Sequence, residues 1–398
     1  MSIPTKVSKE DLTPLQLDPK RYLWLFAAFW GFVPIAFMYT AYATGNGLWI
    51  WGYFVFIFMV MPTLDKLMGS SSYNPPESAF VKMRDDSYYK WLARFTAISP
   101  FFSQVAGAWY IATYEPGYGV YFGFAWAAGW ALGLSVNAAH EVGHKSGKMD
   151  HFFASLGLAP SFMGHFRIEH NNGHHIQVAT PQDTATSRMG QNFYSFVLTE
   201  LPGGFSRAWN IEKKRLAKKG ISQFALKNEV FRNALVSLLY YTAMIYAFGF
   251  MVLPFLLIAA LMGNLLLSSA NYIEHYGLKR EKLDNGKYER CQPHHSWNSN
   301  RYLSNLLVLH LERHSDHHAH AQRPYQCLRH FDDVPQLPSG YLPMFFRAWI
   351  PPWWFSLMDK RVADWADGDM NKVMIQEGRE EEMFAKWHNP KDEVAAAE

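Results

Sequence analysis

The sequence predicts an all-α membrane protein in which six transmembrane helices carry a cytoplasmic, largely helical cap with a two-metal site. Six apolar runs approach the roughly 20 residues that a helix needs to cross the hydrocarbon core of a bilayer. Lysine and arginine are missing from the short turns within pairs of runs and are frequent in the longer polar segments. Histidines cluster near the ends of the apolar runs, which places the predicted metal site in the cap.

The predicted spans form three helical hairpins. Only short turns at 45–46, 115–117 and 249 separate the two members of each pair. The fifth run is short for a span, which favours a helix that begins before Arg232. The six runs comprise residues 22–44, 47–64, 95–114, 118–139, 234–248 and 250–272.

Basic residues predict the orientation. They occur in the N-terminal segment, in 65–94, in 145–233 and after 278, and basic loops stay on the cytoplasmic side. Both termini and the long polar segments are therefore expected in the cytoplasm, with 366–398 as an acidic, solvated tail. The predicted organisation is an N-terminal segment with helices 1–4 (1–144), a first cap segment (145–233), helices 5 and 6 (234–275), and a second cap segment that includes the acidic tail (276–398).

Composition excludes several classes of protein. A formal net charge of +3 gives no reason to expect nucleic-acid binding. Cys291 and Cys327 form no CxxC pair, so neither a disulfide framework nor a cysteine metal site is expected. Residues 1–20 are polar, unlike a cleaved signal peptide. The basic stretch 207–219 fits either a helix on anionic lipid or a docking surface for an acidic protein.

Nine histidines have spacings typical of metal ligands. His314, His317 and His318 fall at i, i+3 and i+4, which puts three imidazoles on one helix face. Neutral imidazoles crowd together where a transition metal lies between them. In the predicted topology, all nine reach the same membrane face: His140, His144, His170, His174, His175, His275, His314, His317 and His318. One ion takes no more than about six ligands, so nine nitrogens predict two ions.

Ligation by nitrogen alone does not identify the metal, because iron, copper, zinc and nickel all accept imidazole ligands. Two divalent ions bound by neutral rings retain much positive charge, so nearby carboxylates are expected to orient the ring N–H groups. The candidates, each adjacent to a ligand or close to one in the sequence, are Glu141, Asp183, Glu274 and Asp316. An ordinary surface charge is the alternative for each. His310, four residues before His314, is a further candidate for these surroundings.

Two other classes of function could also use some of these histidines, a zinc protease and a metal transporter. Residues 140–144 match H-E-x-x-H, the motif of zinc proteases in which the glutamate is the general base. An intramembrane protease of this kind would need one further ligand and would leave most of the clustered histidines unexplained. A metal transporter would need polar residues through the middle of the helices, which here are apolar and aromatic.

Four sequence blocks closely resemble the membrane-bound non-haem di-iron alkane 1-monooxygenases, the alkane hydroxylases. They are HEVGHK (140–145), EHNNGHHIQVATPQDTATSR (169–188), NYIEHYGL (271–278) and RHSDHHAHAQRPYQ (313–326). The third block separates this family from the wider histidine-box superfamily of desaturases and hydroxylases. The resemblance implies a di-iron site at the nine histidines, in the inner (cytoplasmic) membrane of a bacterium.

The same resemblance implies a reaction and its partners. The expected reaction hydroxylates the terminal methyl of a medium-chain n-alkane to a 1-alkanol, with O₂ and with electrons from rubredoxin. Rubredoxin is itself reduced by rubredoxin reductase, and the alkane arrives from the membrane lipids. Because the chain lacks paired CxxC motifs, the donor is expected to be another chain or a further domain. The alternative within the superfamily is a related histidine-box lipid hydroxylase or a fatty acid desaturase.

Residues one and two helical turns from His140 and His275 are the predicted wall of a substrate channel. An apolar channel orients an alkane by shape alone, so its wall should be built by the helices that bear ligands. The candidates are Leu132, Gly133, Val136, Asn137, Leu267, Ser268 and Asn271. Helix–helix packing accounts equally well for each, and for Gly133 it is favoured because small residues let helices approach closely.

Overall fold

The computed structural model describes residues 13–389, which are predominantly helical. The described residues form only isolated β-bridges and no sheet. The main helices are α1 (Leu25–Thr44), α2 (Leu48–Met68), α3 (Ser87–Ile98), α4 (Pro100–Tyr114), α5 (Tyr118–Gly143), α6 (Lys148–Leu158), α7 (Phe193–Ala217), α8 (Glu229–Phe248), α9 (Val252–His275), α10 (His314–Ala319), α11 (Tyr341–Ala348), α12 (Pro351–Trp365) and α13 (Glu380–Trp387). The all-α class is therefore confirmed.

Four helices, α1, α2, α5 and α9, are long and apolar enough to cross a membrane. The third predicted run divides at Ser99 into α3 and α4, because Pro100 has no N–H group to continue the helix. Helix α8 begins at Glu229, before Arg232 as predicted, and its first turn carries these two charged residues. A helical membrane protein is thus confirmed, with four helices rather than six meeting the criteria of length and apolarity within residues 13–389.

Helices α5 and α9 form the centre of the bundle. Within their most apolar stretches, 72% of α5 and 61% of α9 are buried, against 39% of α1 and 28% of α2. The two helices approach closely at Gly133, where an added Cβ atom would lie 2.5 Å from Cδ1 of Leu266. Both helices end in predicted ligands, His140 and His275. The packing of α5 on α9 therefore sets the distance between two parts of the predicted metal site.

Replacing Gly133 with alanine should destabilise the protein, because Cβ of Leu266 lies only 2.6 Å from the added atom and cannot swing away as a side-chain tip could. Overpacking of this kind costs about 1–3 kcal/mol. Thermal unfolding in detergent should show a lower midpoint for Gly133→Ala. The matched control is Gly119→Ala in the same helix, where an added Cβ meets nothing within 4 Å. Equal midpoints for the two variants would contradict the close packing.

The prediction of a solvated tail over 366–398 is wrong for the part up to residue 389. Met370, Val373 and Met383 are buried. The backbone of this segment pairs with two others: Met189 N–H donates to Met374 O at 2.8 Å, and Met374 N–H donates to Gly277 O at 2.9 Å. The acidic composition gave no sign of these apolar residues, which hold the segment against the rest of the cap. Residues 390–398 lie outside the described residues.

Candidate metal centre

Five of the nine predicted histidines meet in one group. His140 and His144 end helix α5, His170 and His175 follow α6 in the chain, and His317 belongs to α10. One ring nitrogen from each lies within 4.8 Å of the corresponding nitrogens of the other four. Four of the rings are buried and His175 is half-buried. These residues form the five-histidine group.

The other four histidines form a second buried group. His174 lies beside the first group in the chain, His275 ends α9, and His314 and His318 belong to α10. Their ring nitrogens also lie within 4.8 Å of one another. The rings of the two groups are neighbours, since His175 and His318 have centroids 4.4 Å apart. This four-histidine group completes the predicted set, so the structure brings all nine residues together.

A stretch of π-helix divides three neighbouring histidines between the groups. The backbone is π-helical over His170–His174, and its wide turn brings residues five apart onto one face. His170 and His175 accordingly join the five-histidine group, with 3.0 Å between their Nε2 atoms. His174 turns to the four-histidine group instead. In an ordinary α-helix, His170 and His174 would share a face. The widened turn is what lets one segment serve both groups.

Helix α10 also serves both groups. His314 and His318, spaced i and i+4, have Nε2 atoms 2.9 Å apart in the four-histidine group. His317 turns toward α5, where its Nε2 lies 3.1 Å from Nε2 of His140. Three imidazoles on one short helix therefore link the two groups.

The protonation of the rings suits binding of a metal ion. Burial lowers the pKa of six rings well below the usual range, and neighbouring imidazoles lower it further; the six are His144, His170, His175, His314, His317 and His318. A neutral imidazole is the form that binds a metal. Nε2 of His144 lies 2.8 Å from Nε2 of His140, and two neutral nitrogens that close need a proton or a cation between them. Nε2 of His174 is buried without a hydrogen-bond partner among the described residues. The donor set fits a transition-metal site.

Asp183 orients His174, as expected of a predicted carboxylate neighbour. The Nδ1–H group of His174 donates to Oδ2 of Asp183 at 2.8 Å, which leaves Nε2 to face the four-histidine group. Burial alone would lower the pKa of His174, but the Asp183 carboxylate outweighs burial and raises it. Arg207 donates to Asp183 at 2.8 Å and also pairs with Glu169. Sequence analysis missed Glu169, although it directly precedes His170. Arg207 turns inward, away from the surface proposed for the stretch 207–219.

Glu274 also contacts the site. Its Oε2 lies 3.2 Å from Nε2 of His314, and the Tyr341 hydroxyl donates to its Oε1 at 2.8 Å. The adjacent His275 donates from Nδ1 to the backbone carbonyl of His295 at 3.0 Å. No side-chain pattern in the sequence indicates a backbone carbonyl as a partner, so the sequence had no signal for His295.

The other two predicted carboxylates serve elsewhere. Glu141 accepts a hydrogen bond from the Tyr325 N–H at 3.2 Å and pairs with Lys145 at 2.8 Å. Asp316 is buried against Arg329, its closest partner at 2.7 Å, and also pairs with His320. Their placement beside the metal ligands is therefore wrong: on a helix, the residue adjacent to a ligand points about 100° away from it.

His310 is likewise turned away from both groups. Its Nε2 accepts from Nζ of Lys20 at 2.7 Å, and its Nδ1 donates to Tyr325 O at 3.0 Å. These contacts join the N-terminal segment to the cap. They account for His310 without any role at the nine histidines.

A narrow cavity of about 30 Å³ lies between α5 and α9 and reaches three of the histidines. This volume is far below the range of about 300–1,000 Å³ that is usual for small-molecule sites, so the side chains of the wall must move apart to admit a chain molecule. Its wall is mainly apolar and includes Leu134, Phe166, Leu266, Leu267 and Phe345, and it ends at His140, His170 and His314. An apolar molecule in this cavity would reach the histidines without passing through water.

Four of the seven predicted channel residues line this cavity: Gly133, Asn137, Leu267 and Asn271. The other three, Leu132, Val136 and Ser268, are not part of its wall, which corrects their predicted placement. Leu132 packs against Gly263 of α9, where an added Cβ would lie 3.1 Å from Cγ of Leu132. The Ser268 hydroxyl donates to Glu200 at 2.6 Å. Residues 132 and 136 are each one position from a lining residue, so they face about 100° away from the cavity.

Eight buried imidazoles and the half-buried His175 form two groups beside an apolar cavity, near the ends of two membrane-type helices. They define a membrane protein with a histidine-rich metal site. A family model described as fatty acid desaturase matches residues 116–348. The chain is 46% identical to alkane 1-monooxygenase 1 of Alcanivorax borkumensis, over 92% of this chain and 90% of that protein. It is 42% identical to an alkane 1-monooxygenase of Pseudomonas putida, over 96% of both chains. An alkane 1-monooxygenase of Ectopseudomonas oleovorans is 41% identical, over 95% of this chain and 94% of that protein. The chain belongs to the alkane 1-monooxygenase family.

Proposed function

We propose that this protein is an integral-membrane di-iron monooxygenase that hydroxylates the terminal methyl of medium-chain n-alkanes to 1-alkanols. The observation that carries this proposal is the convergence of five and four histidines at the end of an apolar cavity. Curated relatives named alkane 1-monooxygenases support the same reaction. The relatives give no support to an intramembrane protease or a metal transporter, and Glu141 of the H-E-x-x-H motif pairs with Lys145.

The reaction consumes an alkane, O₂, two electrons and two protons, and it yields an alcohol and water. Bound iron supplies the oxidising chemistry, while the protein supplies position and exclusion of water. The five-histidine group and the four-histidine group would each hold one iron ion. Leu134, Leu267 and Phe345 shape the cavity so that an extended chain presents one end to His140 and His314. An alkane has no polar group to orient, so the shape of this wall selects the terminal carbon.

We further propose six spans, with α4 and α8 as the third and fifth. Both helices present large apolar side chains outward, including Phe102 and Trp109 of α4 and Leu238 and Leu239 of α8. Lipid would cover these side chains in a membrane. The basic polar segments support a cytoplasmic cap, formed by 145–233 and 276–398, in a bacterial inner membrane. The membrane part would then consist of helices 1–4, which follow the N-terminal segment within 1–144, and of helices 5 and 6 within 234–275.

Rubredoxin, reduced by its reductase, is the proposed electron donor. The two cysteines of this sequence, Cys291 and Cys327, are free thiols, so these 398 residues hold no cysteine-ligated iron–sulfur centre to receive electrons. A one-electron carrier must therefore deliver two electrons in succession to the metal site. Lipid, O₂ and the alkane are the other proposed partners, and no nucleic acid is expected.

The decisive experiment combines metal and product analysis. Purified protein in lipid should contain two iron ions per chain, and with n-octane, O₂ and a rubredoxin/reductase pair it should form 1-octanol. Omitting rubredoxin, while keeping the reductase, is the matched control and should stop product formation. An alkene or an internally hydroxylated acyl chain as the product would favour a desaturase or another lipid hydroxylase of the superfamily instead.

A further inference from the structure

One amide in the cavity wall is held by a buried carboxylate behind it. Asn271, one helical turn before His275 on α9, lines the cavity. Its Nδ2 donates to Oε1 of Glu200 at 3.1 Å, and Oε2 of Glu200 accepts from the Ser268 hydroxyl at 2.6 Å. Glu200 belongs to α7 and is itself outside the cavity wall. The carboxylate therefore lies behind α9 as seen from the cavity.

Glu200 determines which way the Asn271 amide faces. Glu200 is buried and forms no ion pair with the described residues. The NH₂ group of the amide donates to the Glu200 carboxyl group and is thereby turned away from the cavity. The amide oxygen Oδ1 is then the polar atom that Asn271 presents to the cavity. It has no hydrogen bond from any described residue.

The other amide and hydroxyl side chains of the wall already have hydrogen-bond partners. Nδ2 of Asn137 donates to Val308 O, and its Oδ1 faces Nδ1 of His140 at 3.4 Å. The Tyr341 hydroxyl donates to Glu274. Among the amide and hydroxyl oxygens that the described side chains present to this mainly apolar cavity, Oδ1 of Asn271 is thus the one with no hydrogen bond or close polar contact.

We infer that Oδ1 of Asn271 binds the hydroxyl group of the primary alcohol product, with Glu200 as the residue that positions it. This inference rests on the proposed hydroxylation. An alkane has no hydrogen-bond donor, so the acceptor contributes nothing to its binding. The alcohol made from the same chain gains a donor at the terminal carbon, which lies at the end of the cavity near His140 and His314. One acceptor therefore makes the site bind the product more tightly than the substrate, although both have the same apolar chain.

The test compares the affinity for 1-octanol with that for n-octane. Both are measured by equilibrium binding to purified protein in lipid nanodiscs, with the binding to empty nanodiscs subtracted. Asn271→Leu keeps the size of the side chain and removes the acceptor. It should weaken 1-octanol binding relative to n-octane about fivefold, which corresponds to one neutral hydrogen bond. Glu200→Leu should give a similar loss, because the amide is then free to turn.

Two further variants separate positioning from a general structural effect. Glu200→Gln retains an oxygen that accepts from Asn271 and should restore the preference for 1-octanol. Ser268→Ala removes the second donor to the same carboxylate but leaves the contact between Glu200 and Asn271, so the ratio of affinities should stay as in the natural protein. Iron content and thermal midpoint, measured for every variant, identify any that fail to fold.

The outcomes are distinguishable from those of the proposed function. If the natural protein hydroxylates n-octane but binds 1-octanol no better, relative to n-octane, than the Asn271→Leu protein, the inference about Asn271 is overturned and the proposed function stands. If Ser268→Ala lowers the ratio as much as Glu200→Leu, positioning by Glu200 is overturned. Failure of the natural protein to form 1-octanol would overturn the proposed function, and the inference with it.

Discussion

Replacing His170 with alanine will remove iron from the five-histidine group and reduce alkane hydroxylation at least about 100-fold, since even partners outside the ligand set cost 10–100-fold when lost. His170 is buried where two others of its group approach it: its Nε2 is 3.0 Å from Nε2 of His175, and its ring centroid is 4.3 Å from that of His140. The variant leaves a gap that no other described histidine fills. Iron per chain and 1-octanol formation are the measurements.

The matched control for this prediction is His151→Ala. His151 lies outside both groups and contacts the Lys145 carbonyl oxygen at 2.8 Å through Nε2. Its variant should retain two iron ions and full activity. A His170→Ala protein with an unchanged iron content would remove His170 from the ligand set, and full activity would show that the five-histidine group is not needed for the reaction.

Replacing Asp183 with asparagine will weaken metal binding by about 10–100-fold, the usual effect of losing a carboxylate that orients a ligand. Asp183 accepts from Nδ1 of His174 at 2.8 Å, from the Thr186 hydroxyl at 2.6 Å and from Arg207 at 2.8 Å. An asparagine has one oxygen for these three donors, and its NH₂ group would face one of them. In either orientation of the amide, His174 would lose the negative charge of its acceptor, which favours the tautomer that leaves Nε2 free.

Anaerobic titration with Fe²⁺ in competition with a chelator measures this effect. The control is Asp18→Asn, since Asp18 is another buried carboxylate with three donors, Trp24 at 2.8 Å, Tyr89 at 2.8 Å and the Lys20 N–H at 2.9 Å. Its loss should lower the thermal midpoint without changing the affinity for iron. Equal affinities of the Asp183→Asn and natural proteins would contradict the role of Asp183 in orienting His174.

Spacing along the chain was enough to predict that these nine histidines come together, because histidines that recur at helical spacings share one face of their helix. It could not assign them to groups. A regular helix predicts that His170 pairs with His174, whereas the π-helical turn pairs His170 with His175. Whether a helix widens locally to a π-helical turn depends on the tertiary contacts of its side chains, and no simple sequence pattern predicts it.

The carboxylates that contact the nine histidines were harder to predict, because these contacts also depend on tertiary packing. Of four carboxylates chosen by closeness in sequence, Asp183 and Glu274 contact ligand histidines, while Glu141 and Asp316 pair with basic residues elsewhere. The helix rotation of about 100° per residue decides which neighbour faces the site. In the same way, acidic composition hid the packing of Met370, Val373 and Met383, because a few apolar anchors suffice to hold a segment against the cap.

The most direct measurement locates the metal ions in the folded protein. Anomalous scattering at the iron absorption edge, collected from crystals of the protein purified with its native metal, should give two peaks. One peak should lie among His140, His144, His170, His175 and His317, and the other among His174, His275, His314 and His318. A single peak, or a signal only at the zinc edge, would contradict the assignment of these histidines to two iron ions.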